Sequence, residues 1–255
     1  MREFDVVVLG AGPGGTGAAI AAARGGARTL LVERLGFAGG MATAGLVNPF
    51  LGDCYRNPET GSTGSLIGGV YAEICERLRG RGALLRFNYD GPGSVFSDAF
   101  DDAWLRVVHD EMLREAGAET LYHSQLLDAK RSGERVESVR VLAKEGALEF
   151  AAGAFVDSTG DADLVAAAGG EFEVGRPGDG LCQPCSTMFR MGGVEKQKLL
   201  SGTLRECREV INGAFRAAKE AGRLEVFLIA GGDRRFLRAR AEIRDGQIVC
   251  WNEEV

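Results

Sequence analysis

The 255-residue sequence predicts an α/β protein in which a parallel sheet is followed by an antiparallel three-stranded meander. Two observations lead to this prediction. Near the N-terminus, two apolar runs flank an alanine-rich segment, which is the pattern of a β-α-β unit. After Gly117, apolar residues alternate with polar ones between tight turns, which is typical of short antiparallel strands.

A glycine-rich turn lies inside the first β-α-β unit. We predict a strand over residues 4–9, a helix over 16–24 and a second strand over 29–32. The sequence Gly10-Ala11-Gly12-Pro13-Gly14-Gly15 joins the first strand to the helix. The first glycine allows a tight turn, the second lets the backbone approach a pyrophosphate, and Gly15 lets the helix pack close to the strand.

The residues around this turn predict a dinucleotide site. The first N–H groups of a helix have no partner within the helix, and they attract a phosphate. Glu33 closes the second strand, where its carboxylate can accept hydrogen bonds from ribose hydroxyls. Because a carboxylate repels a 2′-phosphate, Glu33 argues against an NADP-type nucleotide. The alternative is an ordinary turn without a ligand, but the surrounding strand, helix and acid favour the nucleotide.

The next elements follow from the spacing of apolar residues. Residues 35–64 are rich in glycine and predict an irregular segment, whereas helical spacing predicts helices over 66–79 and 98–116. A turn is expected between these helices at Asp90-Gly91-Pro92-Gly93. Five strands are then predicted at 119–123, 125–130, 136–143, 147–151 and 153–156. A short helix is predicted at 162–168.

The composition shifts after Glu171, and the run from Gly175 to Gly180 is the best domain boundary in the sequence. A second group of elements is expected behind this boundary. It comprises a strand over 186–191, a helix over 196–221, and strands over 225–230, 236–241 and 248–251.

The overall composition is that of an ordinary soluble globular protein. Hydrophobic residues make up 45% of the chain and charged residues 26%. A net charge of −6 with dispersed Lys and Arg provides no basic surface for nucleic acid or an anionic membrane. The N-terminus has no leader pattern, and no apolar stretch reaches the roughly 18 residues of a membrane helix. We therefore expect a cytoplasmic protein with no nucleic-acid or membrane partner.

The sequence contains six cysteines, and a reducing cytosol disfavours a disulfide framework. Cys182-Gln183-Pro184-Cys185 has the spacing of a redox pair or of half a zinc site. Because no second such pair follows and only two histidines are present, we expect no metal site. An ordinary pair of thiols is favoured over a redox pair.

Several motifs together resemble those of FAD-dependent oxidoreductases of the glutathione-reductase-like, two-dinucleotide superfamily. They are the glycine-rich turn, Glu33, Gly39-Gly40-Met41-Ala42-Thr43 and Asp157-Ser158-Thr159-Gly160-Asp161-Ala162-Asp163. Within this superfamily the chain looks closest to a largely uncharacterised group of single-FAD oxidoreductases whose second flavin motif reads TGD after a strand. The resemblance covers about residues 4–170 and is looser over 182–255.

The resemblance implies an α/β fold with a Rossmann-like FAD-binding domain, which carries a parallel sheet and an antiparallel three-stranded meander, plus a partial α+β substrate domain. It assigns residues 1–45 and 98–170 to the FAD-binding domain. Residues 46–97 and 171–255 would form the inserted or partial substrate domain. The implied cofactor is FAD, and the implied activity is flavin-mediated electron or hydride transfer on a small molecule.

The resemblance also implies roles in cofactor binding. Glu33 would hold the adenosine ribose, the glycine-rich turn the pyrophosphate, and Gly39-Gly40 would bring N–H groups near the diphosphate and flavin. Leu126 would meet adenine through its backbone, while Thr159-Gly160 would form a tight turn beneath the cofactor with Asp161 beside it. The complete predicted set is Gly10, Gly12, Pro13, Gly14, Gly15, Glu33, Arg34, Gly39, Gly40, Met41, Thr43, Leu126, Thr159, Gly160 and Asp161.

No residue is predicted to be catalytic. His109 and His123 are general-base candidates by residue type, but a structural role is favoured for both. Arg176 and Arg190 can bind an acidic substrate, although solvated arginines are the favoured interpretation. The thiols of the Cys182-Gln183-Pro184-Cys185 segment can exchange electrons with a flavin.

The sequence departs from the superfamily in one respect. The usual glycine-and-acid segment near the C-terminus has no counterpart after Thr159, and superfamily members are longer. We therefore expect a truncated, split or degenerate chain whose partner is a second copy or a complementary C-terminal polypeptide. Two alternatives to an active oxidoreductase stay open: a non-catalytic flavin-binding fragment, and an NAD-dependent dehydrogenase, which the TGD segment and the meander disfavour.

Overall fold

A computed structural model describes residues 1–57, 59–88, 96–182, 188, 190, 213, 217, 220–221, 237–244 and 247–254. The α-helices are α1 (Pro13–Arg24), α2 (Gly69–Gly80), α3 (Asp102–Ala116) and α4 (Asp163–Ala167), and Gly40–Ala42 forms a 3-10 helix. The strands are β1 (Arg2–Leu9), β2 (Thr29–Val32), β3 (Cys54–Arg56), β4 (Thr63–Ser65), β5 (Leu84–Asn88), β6 (Phe96–Phe100), β7 (Glu119–Leu121), β8 (Gln125–Ser132), β9 (Arg135–Ala143), β10 (Gly146–Asp157), β11 (Leu237–Arg244) and β12 (Gln247–Glu254).

The central sheet has six strands in the order β7-β2-β1-β10-β9-β8. β7, β2, β1 and β10 run parallel to one another, whereas β10, β9 and β8 form an antiparallel meander. Two-stranded pairs are formed by β3 with β4, β5 with β6, and β11 with β12. The predicted α/β class, with a parallel sheet and a three-stranded meander, is therefore confirmed.

The long strand β10 joins the two halves of the sheet. Its first half pairs antiparallel with β9, and its course from Phe150 to Asp157 pairs parallel with β1. The predicted separation into strands 147–151 and 153–156 is wrong. Gly153 does not end a strand, because β10 pairs with β1 on both sides of it. A Cβ at this position would lie only 3.2 Å from the carbonyl oxygen of Asp5 in β1, so a small residue suits this close approach.

The second predicted helix also needs correction. Helix α3 begins at Asp102, and the preceding residues 96–100 form β6, so Phe100 lies on a strand. The start is fixed by Asp101, whose side-chain carboxylate accepts hydrogen bonds from the N–H groups of Ala103 and Trp104 at 2.8 and 3.2 Å.

The remaining predicted elements differ mainly at their ends. The helix predicted over 66–79 begins three residues later, at Gly69. The last two predicted strands are present as the antiparallel hairpin of β11 and β12. The turn predicted at 90–93, most of the strand at 186–191, most of the helix at 196–221 and the strand at 225–230 lie outside the described residues.

The chain divides into two compact units. The first comprises Met1–Tyr89 and Gly93–Arg190 and holds the central sheet, and the second includes the β11–β12 hairpin. The division into an FAD-binding and a substrate domain stays a prediction. In the described part of the chain, no helix combines the length and apolar character needed to cross a lipid bilayer.

The core of the first unit lies on both faces of the central sheet. Val8 of β1 packs in a cluster with residues of α1, α2 and α3, whereas Val7 and Leu9 pack with Phe150 and Leu164 on the other face. Because both faces are covered, β1 needs an almost continuous apolar sequence. Its register places Leu9 beside Val32 of β2 and Asp157 of β10, so three strand ends meet at one edge. Ligands of open α/β sheets bind at such an edge.

Candidate functional site

The glycine-rich turn lies at this edge and is tightly packed. Gly10 has a φ of +91°, and a Cβ there would lie 2.3 Å from the carbonyl oxygen of Ser158. At Gly15 a Cβ would lie 1.8 Å from the carbonyl oxygen of Gly10. Both positions therefore require glycine because the backbones on either side leave no room for a methyl group. Ser158 itself is anchored by its N–H, which donates to Leu9 at 2.8 Å.

Gly12 differs from these two glycines. It is the N-cap of α1 in an extended conformation with a φ of −65°, and no protein atom lies within 4 Å of a Cβ built there. No side chain caps the helix, and Pro13 occupies its first turn without an N–H. The N–H groups at the start of α1 therefore have no capping side chain, and a phosphate can accept from them.

Glu33 connects the turn to the end of β2. It is buried, with 6% of its surface exposed, and its two carboxylate oxygens accept from the N–H groups of Ala11 at 2.7 Å and Leu35 at 2.8 Å. Each carboxylate oxygen can accept more than one hydrogen bond, so both retain capacity for a ribose hydroxyl. The residue therefore holds the turn in place in addition to its predicted role.

A pocket opens at the same edge of the sheet. Five predicted site residues come together in its lining: Gly10, Glu33, Arg34, Leu126 and Thr159. The remaining lining residues were not predicted; they are Leu9, Val32, Ser124, Gln125 and Asp163. The N–H of Ser124 donates to the carbonyl oxygen of Glu33 at 2.9 Å, so the chain before β8 is attached to the end of β2. The position of Ser124 and Gln125, directly before Leu126, is the sequence signal that could have identified them.

The segment around Gly39-Gly40 packs against the glycine-rich turn. The N–H of Gly39 donates to the carbonyl oxygen of Ala11 at 2.7 Å, and a Cβ at Gly40 would lie 2.8 Å from the Cα of Gly12. Thr43 is buried and donates its hydroxyl to Ala38 at 2.9 Å, so it holds the loop together from within. Met41, in contrast, is 63% exposed.

The TGD segment is organised by Asp157, which the sequence analysis did not single out as a site residue. Its carboxylate accepts from the N–H and hydroxyl of Thr159 at 3.0 and 2.8 Å, and from the N–H of Val165 at 3.0 Å. Burial alone would raise the pKa of Asp157, but these hydrogen bonds outweigh it and lower the pKa. Gly160 follows with a φ of +88°. The side chain of Asp161 is exposed and does not line the pocket, whereas Asp163 does.

The sequence of this chain matches a known family over nearly its whole length. The family model described as FAD dependent oxidoreductase covers residues 5–252. The chain belongs to this family of FAD-dependent oxidoreductases. No curated protein is a significant match to the sequence.

Several solved structures are similar to this chain at low sequence identity. They include THI4 from Thermovibrio ammonificans, with 20% identity, a TM-score of 0.43 and coverage of 65% of this chain and 61% of that one. p-Nitrophenol 4-monooxygenase PnpA from Pseudomonas putida DLL-E4 has 17% identity, a TM-score of 0.47 and coverage of 69% and 46%. A geranylgeranyl bacteriochlorophyll reductase-like protein from Thermoplasma acidophilum has 18% identity, a TM-score of 0.44 and coverage of 66% and 42%. The chain thus spans about two fifths to three fifths of the length of these proteins.

Neither of the two histidines of this chain lines the pocket. His109 on α3 is buried, donates a ring N–H to the carbonyl of Ala38 and leaves Nδ1 without a partner. Burial lowers its pKa to about 4, so the ring is neutral at pH 7. His123 packs against Gly36, where a Cβ would lie 2.7 Å from Nε2 of its ring.

The other candidates for substrate or redox chemistry are two arginines and two cysteines between residues 176 and 190. Arg176 forms an ion pair with Asp179 at 2.6 Å, and Arg190 pairs with Asp102 of α3. Cys182 is an exposed free thiol, and Cys185 lies outside the described residues. The redox interpretation of this cysteine pair therefore stays a prediction.

Proposed function

We propose that this chain binds FAD across the carboxyl edge of the central sheet and acts in flavin-mediated electron or hydride transfer on a small molecule. The observation that carries the proposal is the contrast among the glycines of the turn. Gly10 and Gly15 have no room for a side chain, whereas a Cβ at Gly12, the N-cap of α1, would meet no atom within 4 Å outside the neighbouring residues. That space suits a pyrophosphate, and Glu33 lies beside it.

Each part of the cofactor has residues of suitable chemistry. The first turn of α1 offers N–H groups to the pyrophosphate, and Glu33 offers lone pairs to the ribose hydroxyls. The backbone at Leu126, with Ser124 and Gln125 beside it, can border the adenine. Gly39-Gly40 extends the surface from Gly12 towards the flavin side. When bound, the flavin supplies the redox chemistry by accepting and releasing electrons.

Further proposals rest on the sequence resemblance. Placement in the glutathione-reductase-like, two-dinucleotide superfamily is supported by the parallel sheet, the meander and the TGD turn. The small-molecule substrate, the cytoplasmic location, and the association with a second copy or a complementary C-terminal polypeptide also stay predictions.

Gly12→Ala tests the proposed site, with Gly17→Ala as the matched control. Apart from neighbouring residues and the backbone of α1, a Cβ meets no atom within 4 Å at either position, so neither change should disturb packing. We expect Gly12→Ala to lose FAD at unchanged fold and Gly17→Ala to retain it, measured as flavin bound per chain after gel filtration. Equal FAD content in the two variants would contradict the site.

Electron transfer is tested separately. The FAD-loaded chain should be reduced by dithionite and reoxidised by an artificial acceptor, followed by its flavin absorbance without air. A chain that binds FAD but exchanges no electrons would support the alternative of a non-catalytic flavin-binding fragment. This outcome leaves the binding site intact and overturns only the proposed activity.

A further inference from the structure

A buried cluster of polar side chains lies outside the cofactor site, between β3, β6 and α2. Asp53, Cys54 and Asp98 each offer one ligand atom, and these atoms all lie within 4.8 Å of one another. The three residues are 2%, 4% and 0% exposed. Asp53 directly precedes Cys54, the first residue of β3, and Asp98 is brought to them by β6. The set thus has the size of a coordination sphere and is shielded from water.

The hydrogen bonds of the cluster leave one oxygen without a partner. The hydroxyl of Tyr71 on α2 donates to Oδ2 of Asp53 at 2.7 Å, but Oδ1 of Asp53 is buried and accepts no hydrogen bond. The guanidinium of Arg86 binds both oxygens of Asp98 at 2.8 Å. A buried carboxylate oxygen without a donor is unfavourable unless a cation or a proton lies beside it.

The carboxylates of the cluster carry more negative charge than Arg86 balances. Arg86 pairs with Asp98, so one negative charge is left when both carboxylates are ionised. A bound metal ion stabilises the thiolate because metal ligands must be deprotonated.

The donor types favour a particular cation. Mg²⁺ and Ca²⁺ prefer oxygen ligands, whereas Zn²⁺ accepts thiolate and carboxylate together in a four-coordinate site. We propose that Asp53, Cys54 and Asp98 bind a Zn²⁺ ion. The proposal goes beyond the flavin chemistry and concerns a different part of the first unit. The spacing in the sequence could not indicate it, because Asp98 is far from the adjacent pair and no histidine takes part.

The test uses the full chain, stripped with EDTA, loaded with Zn²⁺ and separated from free metal. Zinc per chain is measured by mass spectrometry, and affinity by competition with a chromophoric chelator. Cys54→Ser and Asp53→Asn remove or weaken a ligand, and Cys75→Ser is the matched control because Cys75 is an equally buried cysteine on α2 outside the ligand set. FAD content and circular dichroism of each variant show that its fold is kept.

We expect about one tightly bound zinc in the wild type and in Cys75→Ser, and an affinity at least about tenfold weaker in Cys54→Ser and Asp53→Asn. Mg²⁺ added in excess over the bound zinc should not displace it. A wild type that binds no more zinc than Cys54→Ser and Asp53→Asn would overturn the proposal and assign the uncompensated charge to a proton on Asp53. Displacement by Mg²⁺ would overturn the role of the thiolate. Because FAD binding is read separately, neither result bears on the cofactor site.

Discussion

The tight packing of α1 against the glycine-rich turn makes Gly15→Ala a sharp test of the fold at the site. The added methyl would lie 1.8 Å from the carbonyl oxygen of Gly10 and 3.0 Å from the Cβ of Ser158. The first distance is about 1.6 Å short of the 3.4 Å at which ordinary contact begins. A backbone carbonyl cannot rotate out of the way as a side chain can, so the helix and the strand must separate.

Two opposing effects determine how much Gly15→Ala changes the free energy of unfolding. Overpacking of this kind destabilises a protein by about 1–3 kcal/mol, and the contact with rigid backbone places Gly15→Ala at the upper end. The higher helix propensity of alanine returns about 1 kcal/mol. We therefore expect a net loss of about 2 kcal/mol, which corresponds to a fall in Tm of about 4–8 °C for a protein of this size.

The assay is urea unfolding of the FAD-free chain, followed by circular dichroism. Gly17→Ala in the same helix is the control, because its methyl meets no protein atom within 4 Å and should leave stability unchanged or raise it by up to about 1 kcal/mol. Equal stability of Gly15→Ala and Gly17→Ala would refute the packing argument.

The remaining predictions concern buried polar groups. Glu33→Gln replaces an acceptor of two backbone N–H groups, so we expect a loss of about 1.5–3 kcal/mol in urea unfolding together with weaker FAD binding, whereas exposed Glu134→Gln should change neither. Asp157→Asn turns an amide N–H₂ towards backbone donors and should cost about 1–2 kcal/mol; a similar cost in exposed Asp161→Asn would contradict the role of Asp157. His109 binds a proton less readily in the folded than in the unfolded chain, so stability should be fully present above about pH 6.5 and fall by about 3 kcal/mol as the pH drops to about 4. His109→Gln should reduce this loss of unfolding free energy at low pH, and an unchanged pH dependence of stability would contradict the role of His109.

Local chemistry explains what could be predicted from the sequence. The apolar runs of β1 and β2 and the glycine pattern between them depend on neighbours within a few residues, so they indicate the β-α-β unit without knowledge of the fold. The meander was equally visible, because its turns carry Gly133 and Gly146, which both have a positive φ. The position of Glu33 at the end of the second apolar run likewise placed it at the pocket, whereas Thr159 was predicted from the resemblance to FAD-dependent oxidoreductases.

Long-range pairing explains what the sequence could not indicate. Ser158 lies beside Gly10 only because β10 pairs with β1, more than a hundred residues earlier in the chain. Strand β6 was mistaken for the start of a helix, since the apolar residues before Asp101 continue the spacing of α3. The cluster of Asp53 and Asp98 likewise depends on the packing of separate strands.

The central claim is that this chain holds FAD at the carboxyl edge of its sheet. The most direct measurement is the absorption spectrum and mass of the cofactor released from the purified full chain. We expect a flavin band near about 450 nm and the mass of FAD in about one equivalent per chain. Release of NAD instead, or a folded chain that neither carries FAD nor takes it up when it is added, would contradict the account.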